Sequence, residues 1–131
     1  MDESTREALE LAEAAALGAA VLNGDARAGI VGALTPDAFT REAHRAIFET
    51  VAAMHAEGEH VDQITVNDRL AYTGRLDEVG GLAAVWELTA PEGCPVPAAW
   101  RHYVSILVRE HERRARVAEL RAELAELEGT P

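Results

Sequence analysis

Five histidines, one cysteine, 23 carboxylates and 12 arginines are the groups of this 131-residue sequence that could do chemistry. A bound metal needs ligands converging from one helical face or one loop. His55 and His60 bracket Gly58, and the run between them is not the order His, Glu, two residues, His of a zinc protease. His102 and His111 sit too far apart on one predicted helix to share an ion. The histidines are therefore expected at the surface or in an interface, and no metal or other cofactor is implied. The carboxylate pairs Glu10/Glu13 and Asp77/Glu78 could act as acid/base dyads. In so acidic a chain such pairs arise by chance, and both are expected to face water. Cys94 stands in a proline-rich stretch with no neighbouring base, which describes an unactivated thiol. All 12 basic residues are Arg, so neither a P-loop lysine nor a Schiff-base lysine exists in these residues. No catalytic constellation emerges, and the expectation is a protein that is not an enzyme.

Arginine and charge placement say more about partners. Arg109, Arg113 and Arg116 share one helical stripe, and Arg113 with Arg114 could touch phosphates. Glu110 and Glu112 interrupt that run, so an inter-subunit or partner salt-bridge stripe is the expected use. The formal charge of −11 repels a phosphate backbone, and no direct nucleic-acid binding is expected. Residues 1–98 hold 17 acids and 6 Arg, whereas residues 99–131 hold 6 of each. The whole net charge thus belongs to the first three quarters of the chain.

The elements that must carry these groups are helices. Twenty-six alanines, 48% apolar residues and 5% aromatics describe an all-α protein with a small-residue core. Ser4 with Glu7 predicts a capping box for a helix over 4–22, with Asn23-Gly24 as a left-handed stop. Asp25 is expected to cap a short helix to about Ala33, and Thr35-Pro36-Asp37 to open a turn that carries Phe39 inward. A helix over 40–57 follows, with Ala43, Ile47, Val51 and Met54 on one stripe beside Ala46 and Phe48. Val61 to Ile64 reads as an extended connector, and Thr65 with Asp68 as the capping pair of a helix over 66–73. Gly74 ends that helix, Leu76 is expected inside the next loop, and Gly80-Gly81 to start a helix to about Thr89. Pro91, Gly93, Pro95 and Pro97 form the one linker candidate.

After Pro97, which can open a helix, there is neither Gly nor Pro up to Glu128, which permits one helix of roughly 48 Å. That exceeds the diameter of so small a domain. Its first half carries Trp100, Tyr103, Val104, Ile106 and Leu107, enough to pack on the preceding helices. Its second half carries Val117, Leu120, Leu124 and Leu127 at spacings of 3, 4 and 3, a coiled-coil seam. Residues 1–95 are expected to form a helical head and 96–131 the long helix of the same domain. Tyr103, Ile106 and Leu107, with the seam, are the candidate interface. No repeat is visible. Residues Met1 to Ser4 are acidic where a secretory leader is basic, and no apolar stretch spans a bilayer, so a cytoplasmic protein without membrane contact is expected.

The ordered set Ala12-Glu13, Leu17-Gly18, Phe39, His44-Arg45, Ile47-Phe48, Gly58, Val61-Asp62 and Thr65-Val66 continues through Leu70, Gly74, Leu76, Val79-Gly80-Gly81, Leu88, Val96-Pro97, Tyr103 and Ile106. Over residues 9–114 it resembles the N-terminal domain of DnaB-type replicative DNA helicases. The resemblance implies a compact bundle of about six helices followed by the first arm of a helical hairpin. It implies a non-catalytic domain that forms a collar on a hexameric ring, pairs with its neighbours through the hairpins and, in bacteria, docks the helicase-binding domain of primase. It places Leu17, Phe39, Ile47, Phe48, Leu70 and Leu76 in the core. Gly18, Gly74, Gly80 and Gly81 become packing or turn glycines, and Tyr103 and Ile106 the base of the hairpin helix. The sequence departs from the family pattern at Ala84, where an aromatic is usual, and at Ala99, where a polar residue is. The ATPase domain and second hairpin helix of that family lie outside these residues.

Together these readings predict a protein-interaction module, a dimer or higher oligomer, that binds a replication protein: helicase, loader or primase. The alternative is an acidic adaptor or DNA-mimicking inhibitor outside the replisome, which would use the acids of residues 1–98 as phosphate surrogates.

Overall fold

The computed structural model describes residues 1–129. Within them the chain folds as α1 (Glu3–Leu22), α2 (Gly24–Ala33), α3 (Glu42–Ala56), α4 (Gln63–Tyr72), α5 (Leu76–Val79), α6 (Ala83–Thr89) and α7 (Trp100–Glu128). Short 3-10 turns at Pro36–Ala38 and Pro97–Ala99 lead into α3 and α7. This is the all-α bundle with a long last helix that composition and periodicity predict. Thr130 and Pro131, the end of the segment assigned to that helix, lie outside the described residues.

α1 is the axis of the head. Every residue from Ala15 to Val21 is buried, so this stretch is enclosed on all sides, and α2, α3, α6 and α7 pack around it. Alanine and glycine make that possible because they let neighbouring backbones approach. A Cβ on Gly18 would lie 2.1 Å from the Leu88 carbonyl oxygen and 2.7 Å from Cys94 Cβ, so the end of α6 and the proline-rich stretch rest directly on α1. The remaining core is aliphatic, from Leu17, Ile30, Ile47, Val51, Met54, Val66, Leu70, Val85 and Leu107, with Phe39 and Phe48 in tilted ring contact at 4.9 Å between centroids.

Several local expectations are corrected, the helix starts by a better-placed hydrogen-bond acceptor nearby. Asp2, not Ser4, caps α1, accepting from the Thr5 amide at 2.7 Å. Asn23 is extended rather than left-handed (φ −141°), which lets it end α1 and cap α2 at once through the Ala26 amide at 2.9 Å, the role predicted for Asp25. Asp62 and Thr65 form a reciprocal capping box, so α4 starts at Gln63 inside the predicted connector and Asp68 takes no part. Leu76 opens the single turn of α5 and is half-buried, while Val79 goes inside. Gly80 and Gly81 adopt left-handed backbone (φ 99° and 94°) and end α5 rather than start α6.

Candidate interaction surface

The groups that could do chemistry are dispersed or already engaged. Among the described residues no three His, Cys, Asp or Glu side chains come together to hold a metal. Cys94 is buried, and burial pushes its thiol above the usual range, away from the reactive thiolate. His60 is exposed and 2.8 Å from Asp62. Asp77 and Glu78 are exposed as expected, and Glu78 pairs with Arg75 at 2.9 Å.

Glu13 and His44 overturn two expectations. Glu13 does not face water and His44 is not a surface histidine: they are 0% and 4% exposed. The Glu13 carboxylate accepts from His44 Nδ1–H at 2.9 Å, from the Thr40 hydroxyl at 2.6 Å, and from the Thr40 and Arg41 amides at 3.0 and 3.4 Å. Arg41, the N-cap of α3, makes no side-chain cap of its own. The carboxylate of α1 therefore serves as a remote cap, placed where the helix dipole favours a negative charge. Burial pushes the Glu13 carboxyl up, but the bonds from His44 and Thr40 outweigh it and hold the group below its ordinary range. Both residues were legible as buried: Leu9, Ala16 and Leu17 flank Glu13 on one face, as Ile47, Phe48 and Val51 flank His44.

One surface cleft of about 560 Å³ runs between α1, α3 and α6, with Leu11, Ile47 and Leu88 among its walls and Glu7, Glu10 and Glu87 among its acids. His44 reaches it, but with Nδ1 already committed to Glu13, and no nucleophile and base meet there. The geometry offers a place to bind rather than a place to react.

α7 supplies the other surface. Its first half packs on α1 and α2, with Val104 and Leu107 buried and Trp100, Tyr103 and Ile106 half-buried against the core. Leu107 is 0% exposed, so of the candidate interface residues it belongs to the head and not to an outward surface. Tyr103 is anchored through its hydroxyl to the Val96 carbonyl at 3.0 Å. Arg114 tethers the helix to the head, donating to the Ala38 carbonyl at 3.3 Å. Beyond it Val117 is half-buried, and Leu120, Leu124 and Leu127 are 47%, 55% and 72% exposed. The arginine stripe is largely used within the chain: Arg113 pairs with Glu110 at 2.6 Å and Arg116 with Glu119 at 3.0 Å. No helix among the described residues is long and apolar enough to cross a membrane.

The model of the DnaB-like helicase N terminal domain family matches residues 6–109. The chain belongs to this family. It is 35% identical over 96 residues to the replicative DNA helicase DnaB of Geobacillus stearothermophilus, and 34% identical over 96 residues to the replicative DNA helicase DnaC of Bacillus subtilis. Each alignment covers 73% of this chain and 21% of the relative, so the chain spans about a fifth of the length of these relatives. The crystal structure of the N-terminal domain of DnaB helicase from Mycobacterium tuberculosis superposes with a TM-score of 0.80 at 28% identity, covering 88% of this chain and 81% of that one. DnaB-like N-terminal domains are helical, non-catalytic modules of oligomerisation and interaction.

Proposed function

We propose that this chain is a protein-interaction module of DNA replication that self-associates through α7 and docks a replication protein, either helicase, loader or primase. The observation that carries the reading is the distal seam: three leucines about half exposed or more, on a helix that has left its own head behind at Arg114. Leucines at coiled-coil spacing left in water are costly, roughly 25 cal/mol for each Å² of apolar surface, and a partner removes that cost. Membership of the DnaB-like family supports a partner within the replisome rather than outside it.

Two measurements test this. Sedimentation velocity across a concentration series is expected to show a dimer that dissociates on dilution, and the double substitution Leu120→Glu, Leu124→Glu to give monomer throughout. A wild type that stays monomeric at the highest concentration overturns self-association. For docking, the chain is titrated against purified replicative helicase and primase, with complex formation with one of them expected. Salt-sensitive capture of DNA-binding proteins with neither of those two bound would instead favour the acidic adaptor or DNA-mimic reading.

A further inference from the structure

α4 and α6 lie side by side and run in opposite directions. Gln63, at the start of α4, donates to the Thr89 hydroxyl at the end of α6 at 3.2 Å, and Asn67, a turn later, donates to the Leu82 carbonyl just ahead of α6 at 3.2 Å. Val66 and Leu70 of α4, with Val85 and Leu88 of α6, turn into the core. At about 100° per residue, the next positions outward from the contact are Ile64 on α4 and Leu82 and Trp86 along α6. They stand in water, Ile64 68% exposed, Leu82 61% and Trp86 49%. Both helices thus present large apolar side chains to the furrow between them, on the side of α6 opposite Ala84, which lines the cleft against α1. The charge around the furrow has one sign. Asp68 and Glu87 are exposed and each lies two residues from a buried valine, about 200° round its helix, so both point outward along the crests. Residues 61–92 hold six acids and two Arg. Arg69 is spent on Glu57 and Glu59 and Arg75 on Glu49 and Glu78, whereas among the described residues neither Asp68 nor Glu87 has an ion pair.

We propose that the furrow between α4 and α6 seats a basic amphipathic helix of a partner protein, its apolar stripe between Ile64 and Trp86 and its Arg or Lys side chains over Asp68 and Glu87. Two helices laid antiparallel leave a groove that takes the apolar ridge of a third. The 10 residues of α4 give the groove roughly 15 Å, about three turns of such a helix. Trp86 is the natural anchor, since a tryptophan in the middle of an interface carries a large share of binding energy. Charge decides against other occupants. A phosphate backbone would meet acids alone. The leucine seam of a second copy would bring its own acids, because residues 117–128 hold four Glu and one Arg. The inference adds a surface to the module proposed above and does not depend on pairing through α7.

The probe is a labelled synthetic helix of about 15 residues, with Leu at i, i+3, i+4 and i+7 and Arg on the other face, beside a counterpart with Glu for Arg. Titrated with the full chain, the basic peptide is expected to bind saturably, to weaken several-fold as salt is raised, and to shift the Trp86 emission to the blue. The acidic peptide is expected to bind at least about tenfold more weakly. Ile64→Ser with Leu82→Ser alters two exposed side chains and leaves the core intact, so the variant is expected to fold and to lose about tenfold or more in affinity. Asp68→Arg with Glu87→Arg is expected to weaken the basic peptide and strengthen the acidic one. Wild-type affinity in the Ile64→Ser, Leu82→Ser variant overturns the proposal. So does a loss that appears with Leu11→Ser instead, which would put the peptide in the cleft between α1, α3 and α6. Equal binding of the acidic peptide, or of single-stranded DNA, overturns it as well. The Leu120→Glu, Leu124→Glu chain is expected to bind the peptide as the wild type does, so failure of self-association and failure of the furrow are separate results.

Discussion

His44 Nδ1 and Glu13 Oε1 lie 2.9 Å apart, both side chains enclosed, and join α1 to the first turn of α3. A carboxylate this deep would be costly without partners, and here its oxygens receive four hydrogen bonds. The pair fixes where α3 begins and so where Ile47, Phe48 and Val51 meet the core. Glu13→Ala removes the acceptor while leaving His44, Thr40 and Arg41 donors behind, and about 3–5 kcal/mol of stability is expected to go with it. Glu13→Gln keeps the volume and most of the Thr40 contacts, so a smaller loss of about 1–2 kcal/mol is expected. Urea denaturation of the three proteins measures both values, and equal losses would show that volume, not hydrogen bonding, is what Glu13 supplies.

The same pair sets part of the pH response. Glu13 is held below its ordinary 4.5 in the folded chain. Its contribution is therefore complete above the unfolded value, and is lost as pH falls from there through the lowered folded one. Asp2, Asp62, Glu57 and Glu78 are lowered in the same sense by hydrogen bonds to neighbouring backbone or arginine, but they stand in water and contribute little. The melting temperature of the wild type should exceed that of Glu13→Gln by a margin that is constant near neutrality and shrinks below about pH 4.5. A margin unchanged down to pH 3 would detach the acid limb from Glu13.

Two glycines on helices should respond oppositely to the same methyl. Gly18 has the Leu88 carbonyl oxygen where a Cβ would go, at 2.1 Å, so Gly18→Ala forces α6 off α1 at an expected cost of about 1–3 kcal/mol. Gly32 has open space, and Gly32→Ala in the last turn of α2 is expected to stabilise by up to about 1 kcal/mol. Thermal melts of the two variants give the signs directly, and a destabilised Gly32→Ala would contradict the space found around it.

The existence and order of the longer helices were legible because each is bounded by glycine, proline or a polar cap and carries an apolar face of helical period, whereas the single turn of α5 reads as loop because four residues are too few to show a period. Helix starts were less so. Asp2, Asn23 and Asp62 each had a rival within a few residues, and which side chain reaches an amide is decided by backbone angles that periodicity does not carry. Glu13 was misplaced for a different reason: acidity averaged over the chain outweighed the apolar neighbours of that one position. The seam beyond Val117 was readable from spacing alone. The anchoring of Arg114 to the turn at Ala38 depends on contact between residues 76 apart and left no local trace.

That anchor divides α7 into two stretches of unequal protection. Up to Arg114 the helix is held by Val104 and Leu107 in the core and by the arginine's bond to Ala38. Past it, the backbone is stabilised by its own hydrogen bonds, by good helix formers and by exposed pairs such as Arg116 with Glu119. No nucleation is needed, since the stretch continues a formed helix, but its end frays readily in a monomer. Hydrogen exchange on a dilute sample should therefore protect amides 100–113 far more than 117–128. Raising the concentration into the dimer range should slow exchange in the distal stretch and leave the proximal one unchanged. Leu120→Glu with Leu124→Glu should abolish that concentration dependence without altering amides 100–113. Distal amides as slow as proximal ones in a dilute monomer would mean that the head itself, and not a second copy, stabilises the seam.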